Sequence, residues 1–148
     1  MLKKAQSFVT LFAVLICFVA YPMNANADSG EITPYWNNTD SYAFNFTISD
    51  SGMATLSFNC TGESNVVTKI VAYSYIEMKI GSSWVRISNG QPNSQWTDTV
   101  TNGYRLATSH KLQLTSSGTY KAVANFHVYG TGGSTDVIGD SIIKTYSK

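Results

Sequence analysis

From Tyr42 to the end of the chain, apolar and polar residues alternate with a period of two, the pattern of strands that bury one face. Tyr42, Phe44, Phe46 and Ile48 are separated by Ala43, Asn45 and Thr47, and Asp50-Ser51-Gly52 then marks a turn. Ala54, Leu56, Phe58 and Cys60 line the next apolar face. After Thr61-Gly62-Glu63-Ser64-Asn65 comes a long strand with Ile70, Ala72, Ile76, Met78 and Ile80 on one side and Val71, Tyr73 and Tyr75 on the other. Gly81-Ser82-Ser83 predicts a hairpin into Trp84–Ile87. Asn89–Ser94 reads as loop. Short strands are expected over Trp96–Val100, Tyr104–Thr108 and Lys111–Leu114. Tyr120, Ala122, Ala124, Phe126 and Val128 form the clearest alternation, and Ile138–Tyr146 supplies a last strand beyond the glycine-rich break at Gly130–Ser134. No segment carries an apolar period near 3.6. About eight to nine short strands with turns every ~8–12 residues predict an all-β, antiparallel β-sandwich.

The N-terminal segment follows a different logic. Lys3 and Lys4 precede an apolar run from Phe8 to Ala20, and small residues stand at Ala25 and Ala27. Such a run is shorter than the ~20 residues a helix needs to cross a bilayer. Residues 1–27 are therefore expected to be a secretory signal peptide cleaved between Ala27 and Asp28, leaving 28–148 as one secreted domain with no membrane insertion after cleavage. Ile16 before Cys17 argues against lipidation, which wants a small residue there.

Removing the leader changes charge and cysteine chemistry. Of ten basic residues Lys3 and Lys4 depart, so eight face nine acidic ones, a net charge of −1. A near-neutral chain without a basic stripe is not built for nucleic acid or anionic lipid. Only Cys60 remains of two cysteines, so no internal disulfide is possible and the core must hold the fold alone.

Two resemblances sit on these residues. Leu114-Thr115-Ser116-Ser117-Gly118-Thr119-Tyr120 resembles the corner before the penultimate strand of immunoglobulin-like domains, where a tyrosine hydroxyl ties the turn to nearby backbone. Cys60 stands at the first core-cysteine place of that family. Ala122 replaces the second cysteine, and Ala72-Tyr73-Ser74 replaces the expected tryptophan. The resemblance thus implies an immunoglobulin-like architecture. The aromatic alternation Tyr42–Gly52, Gly81–Val85, the segment near Trp96, Gly103-Tyr104-Arg105 and the Ser-Gly-Thr-Tyr corner together resemble small secreted proteins of unknown function from Gram-positive bacteria. That likeness implies no catalytic residue.

Candidate chemistry is sparse. Cys60 with His110 or His127 as base would make a nucleophile, but its alternation with Leu56 and Phe58 predicts a buried small hydrophobe. Both histidines are expected at the solvated surface. Asp136 and Asp140 lack the dense oxygen-ligand spacing of a calcium loop and are expected to be polar turn residues. Gly130–Gly133 lacks the lysine and following helix of a phosphate loop. Three Asn-x-Thr acceptor patterns at Asn37, Asn45 and Asn59 are treated as fortuitous, two of them within strands. No catalytic residue, metal site or cofactor is expected.

The remaining colour is aromatic. Tyr35, Trp36, Trp84, Trp96, Tyr104 and Tyr129 fall at strand ends, loops or outward positions, and Trp84, Trp96 and Tyr104 are the ligand-binding candidates. The expectation is a non-enzymatic, secreted domain, extracellular or at the cell envelope, with a binding or structural role toward an extracellular protein or glycan. A carbohydrate-binding module is the alternative. A cell-wall hydrolase is disfavoured by the missing acid–base constellation.

Overall fold

A computed structural model describes residues 36–148; the expected leader, with Ala27 and Asp28, and also Tyr35 lie outside the described residues. The described chain is an antiparallel β-sandwich of eight strands: β1 (Thr39–Ile48), β2 (Met53–Gly62), β3 (Val67–Ile80), β4 (Ser83–Arg86), β5 (Trp96–Thr101), β6 (Arg105–Gln113), β7 (Gly118–Gly130) and β8 (Asp136–Tyr146). Pro92–Ser94 is a single 3-10 turn. One sheet has the order β1-β2-β6. The other runs β4-β3-β7-β8, with β5 following β4's place along the same edge of β3.

Alternation translates directly into two layers. Every second residue of β2 and of β7 is buried: Ala54, Leu56, Phe58 and Cys60 face Tyr120, Ala122, Ala124, Phe126 and Val128. Register keeps apolar partners opposite each other, as in Phe46 with Leu56 and Ala72 with Phe126. Phe126 sits at the centre, edge-on to Phe58 with ring centroids 5.3 Å apart. The long β3 takes both short partners in series, β5 at Lys69–Ser74 and β4 at Glu77–Ile80, and the Ile87 amide bridges the gap by donating to the Ile76 carbonyl at 3.0 Å.

The β1–β2 turn needs its glycine. Gly52 adopts φ +81°, and a side chain there would also meet the Tyr146 hydroxyl at 2.7 Å, so the turn packs directly on the last strand. Tyr104–Thr108 and Lys111–Leu114, expected as separate strands, form one strand, because Thr108, Ser109 and His110 continue the alternation with His110 facing inward opposite buried Leu56.

Each open side of the sandwich carries a polar fastener. Between β1 and β8, the Asp136 carboxylate accepts the backbone amides of Asn37 (2.9 Å), Asn38 (2.8 Å) and Thr39 (2.9 Å) and the Thr39 hydroxyl (2.9 Å). Fully buried Asn38 completes this knot by donating to the Ser134 and Val128 carbonyls and accepting from the Gly132 amide. Between β5 and β6, the His110 ring bonds Asp98 at 2.7 Å and stacks on Trp96 at 4.7 Å, 2° from parallel. Two expectations are therefore corrected. Asp136 is not a polar turn residue but the buried start of β8, and His110 is not a solvated surface histidine but an inter-sheet one.

Cys60 is 0% exposed and free. Burial, reinforced by the nearby Asp136 charge, pushes its thiol up to about 11, so it stays protonated at neutral pH. It is expected to resist a bulky thiol reagent in the folded protein and to react once denatured; fast labelling of the native chain would contradict this. Cys60→Ser should cost about 1–3 kcal/mol, since a hydroxyl would be buried with no assured partner.

Candidate functional site

The inward residues of the five-stranded sheet are accounted for by the core, but its outer face is not bland. Strand pairing sets its rows. Lys69 lies beside Tyr129, Val71 beside His127, Tyr73 beside Asn125, Tyr75 beside Val123, and Glu77 between Arg86 and Lys121. Trp84 of β4 stands opposite Lys79 at the end of this array. Five rings thus share one face.

The rings are held by cations and by one another. The Arg86 guanidinium lies 3.6 Å from the Tyr75 centroid, and is tethered to the Asn93 carbonyl and the Gln95 side chain. Lys121 Nζ sits 4.6 Å over Trp84 and 2.7 Å from the Glu77 carboxylate. Lys69 caps Tyr129 at 4.2 Å. Tyr73 meets His127 edge-on at 5.4 Å. Cation–ring contacts are worth about 0.5–1 kcal/mol each at exposed positions, so they bias the orientation of these half-buried rings.

Beside Tyr75 the face is indented. Tyr75, Lys121, Val123, Asn125, Gly139 and Ser141 border an open depression of about 400 Å³. Its cause is Gly139, which stands opposite Asn125 on edge strand β8. A side chain there would meet the tip of the Asn125 side chain, Oδ1 at 2.9 Å, and would have to displace that amide, so the glycine matters for space and not for a left-handed backbone. The depression offers an aromatic wall, an amide, a hydroxyl and an ammonium, a set that pairs stacking with hydrogen bonding.

The three sequence candidates do not converge. Trp84 belongs to the aromatic face. Trp96 points the other way, into the seam between the sheets, because Trp96, Asp98 and Val100 alternate inward while Thr97, Thr99 and Thr101 alternate outward. Tyr104 is exposed in the β5–β6 connection, away from both. Tyr35 lies outside the described residues, and Trp36 packs edge-on against Tyr42 at 5.7 Å. Tyr73, Tyr75, His127, Asn125 and Gly139 are the residues sequence reasoning missed as a site. The outward register of Tyr73 and Tyr75 was legible, but only the β3–β7 pairing brings them to His127 and Asn125.

Other chemistry is dispersed. Cys60 faces the interior and His127 the opposite side of the five-stranded sheet, so they form no pair. No hydroxyl or thiol bonds the second ring nitrogen of His110 among the described residues. Asp140 turns its carboxylate to the Ser141 amide at 2.7 Å, and among the described residues no cluster of three His, Cys, Asp or Glu side chains could hold a metal ion. No protein-family model matches the chain, and no curated protein matches it in sequence.

Proposed function

We propose that this chain is a secreted, non-enzymatic binding domain, acting outside the cell or at its envelope, whose ligand is a glycan held on the outer face of the five-stranded sheet. The observation that carries this reading is the depression beside Gly139, where a half-buried ring borders hydrogen-bonding side chains. Pyranose rings offer an apolar face for stacking and hydroxyls for an amide or an ammonium, so the two halves of the site match the two halves of a sugar. Arg86 reaches Tyr75 from the β4 side, and the depression opens on the β7–β8 side, leaving that flank of the ring for a ligand. We also read the sandwich as immunoglobulin-like. Support for this is the Tyr120 hydroxyl donating to the Ser116 carbonyl at 2.6 Å at the corner entering β7.

Retention on peptidoglycan sacculi and titration with soluble hexose and N-acetylhexosamine oligosaccharides test the site. Tyr75→Ala and Gly139→Val are each expected to weaken retention about tenfold or more, the scale of one lost stacking or filled subsite. Tyr104→Ala is expected to leave it unchanged. Absence of retention on every glycan, or equal loss in all three variants, would overturn the reading.

A further inference from the structure

Strand β8 is an edge strand of eleven residues, and its pairing with β7 runs without a register shift. Among the described residues, the Asp136 knot covers its first turn of chain and nothing hydrogen-bonds its far edge beyond Gly139 except one side chain of its own. That side chain is Asp140, which takes the Ser141 amide at 2.7 Å. The Ser141 N–H therefore points away from β7. Antiparallel alternation then puts the backbone donors and acceptors of Gly139, Ser141, Ile143 and Thr145 on the open edge. The parity agrees across the sheet, since it requires even-numbered carbonyls of β3 to point toward β4, and Ile76 does so in accepting the Ile87 amide.

An open edge of this length invites another strand, and natural edges are guarded by inward-pointing charges. Here the two guards are of opposite sign and four residues apart: Asp140 and Lys144, on the same face of β8 as Ile142. That spacing has a geometric consequence. In antiparallel self-pairing about Ile142, each Asp140 stands opposite the Lys144 of the second copy, twice over. Pairing about residue 140 or 144 would instead set like charges against each other, which is destabilising. The Ile142 register also places the exposed Ile143 side chains of the two copies, 55% accessible in each, as diagonal neighbours on the outer face.

We propose that β8 is a self-complementary edge through which two copies of this chain pair antiparallel about Ile142, joining their five-stranded sheets into one of ten strands. The occupant is a second copy because the charge pattern of the edge is complementary to itself under a two-fold axis. On pairing, Asp140 exchanges the Ser141 amide for the partner's Lys144, and the freed amide enters the new ladder. Gly139 and Ser141 lie within the paired stretch, so the depressions of the two copies flank the axis on one continuous face. This inference does not depend on the glycan reading.

Sedimentation equilibrium and light scattering on the purified chain test it, with circular dichroism as the folding control. The unaltered chain is expected to dimerise below about 1 mM, the weak end of specific association. Lys144→Glu sets two acidic groups face to face and should weaken the dimer about 10–100-fold. The exchanged pair Asp140→Lys/Lys144→Asp should restore it. Ser141→Pro removes an edge donor that the β7 ladder does not use, so it should yield a folded monomer. A chain that stays monomeric to about 1 mM overturns the proposal. So does a dimer indifferent to both Lys144→Glu and Ser141→Pro, because its interface must lie elsewhere.

Discussion

Tyr120→Ala is expected to cost about 3–5 kcal/mol, close to the whole stability of a marginal domain. Tyr120 is 2% exposed and ranks among the largest fully buried side chains of the protein. It stands where the chain crosses from β6 in one sheet to β7 in the other, opposite Met78 of β3. Removing the ring leaves a cavity between the layers beside the turn Thr115–Ser117, whose Ser116 carbonyl the tyrosine holds. The hydroxyl makes a separable contribution. It donates to the Ser116 carbonyl at 2.6 Å, and burial, then the neighbouring Tyr146, pushes the phenol above its ordinary pKa, so it remains a donor through the neutral range. Tyr120→Phe keeps the packing and loses that bond, for an expected cost of about 1–2 kcal/mol. Trp84→Ala should cost less than Tyr120→Ala, because Trp84 is half-exposed on the outer face under Lys121. Denaturant melts of the three variants give the ranking. A Phe variant that melts like the parent would mean the Ser116 bond carries nothing.

Alternation made the layers legible before any pairing was known. The odd–even split of β2 and β7 in the sequence is the buried–exposed split of the fold, because a strand has no other way to present its side chains. Where polar residues occupy inward positions, the pattern misleads. Thr108 and His110 face inward on β6, and their polarity breaks one strand into two apparent ones. His110 tolerates this place because Asp98 and Trp96 satisfy its edge and its face. Trp96 was misread for the same reason. Asp98 shares its face, and an acid beside a tryptophan looks like solvent-facing sequence until β6 is set against it.

The candidate face was half legible. Tyr73 and Tyr75 alternate against the core residues of β3, so their outward direction follows from sequence. Their neighbours do not, since His127 and Asn125 come from β7, some fifty positions later, and only the register joins them. Gly139 carries no sequence signal at all. It has an ordinary backbone and matters through the side chain it lacks opposite Asn125. Asp136, by contrast, could have been found. It falls in phase with Ile138, Asp140 and Ile142, and an acid at a buried inward position of a strand has to be paired.

Asp136→Asn is expected to cost about 2–4 kcal/mol and to remove an acid-sensitive part of the stability. One carboxylate oxygen, Oδ2, accepts three donors, the Asn38 and Thr39 amides and the Thr39 hydroxyl, while Oδ1 accepts the Asn37 amide. An asparagine side chain must turn its NH2 toward one of these two sets, so either orientation sets donor against donor at a 6% exposed position. The charge matters as well as the shape. Burial pushes the Asp136 carboxyl up, but the hydrogen bonds from Asn37, Asn38 and Thr39 outweigh burial and hold it below its ordinary value. A carboxyl whose folded pKa lies below its unfolded one contributes stability that is fully present above the unfolded value, about 4, and is lost as pH falls through the folded value. The parent should therefore lose stability as pH drops below about 4, partly through release of the Asn37–Thr39 segment from β8. Asp136→Asn should start lower at pH 7 and show a flatter decline over that window. Melts of both chains from neutral to about pH 2 measure the difference. Parallel profiles would show that the knot is held by shape alone, with no share carried by the charge.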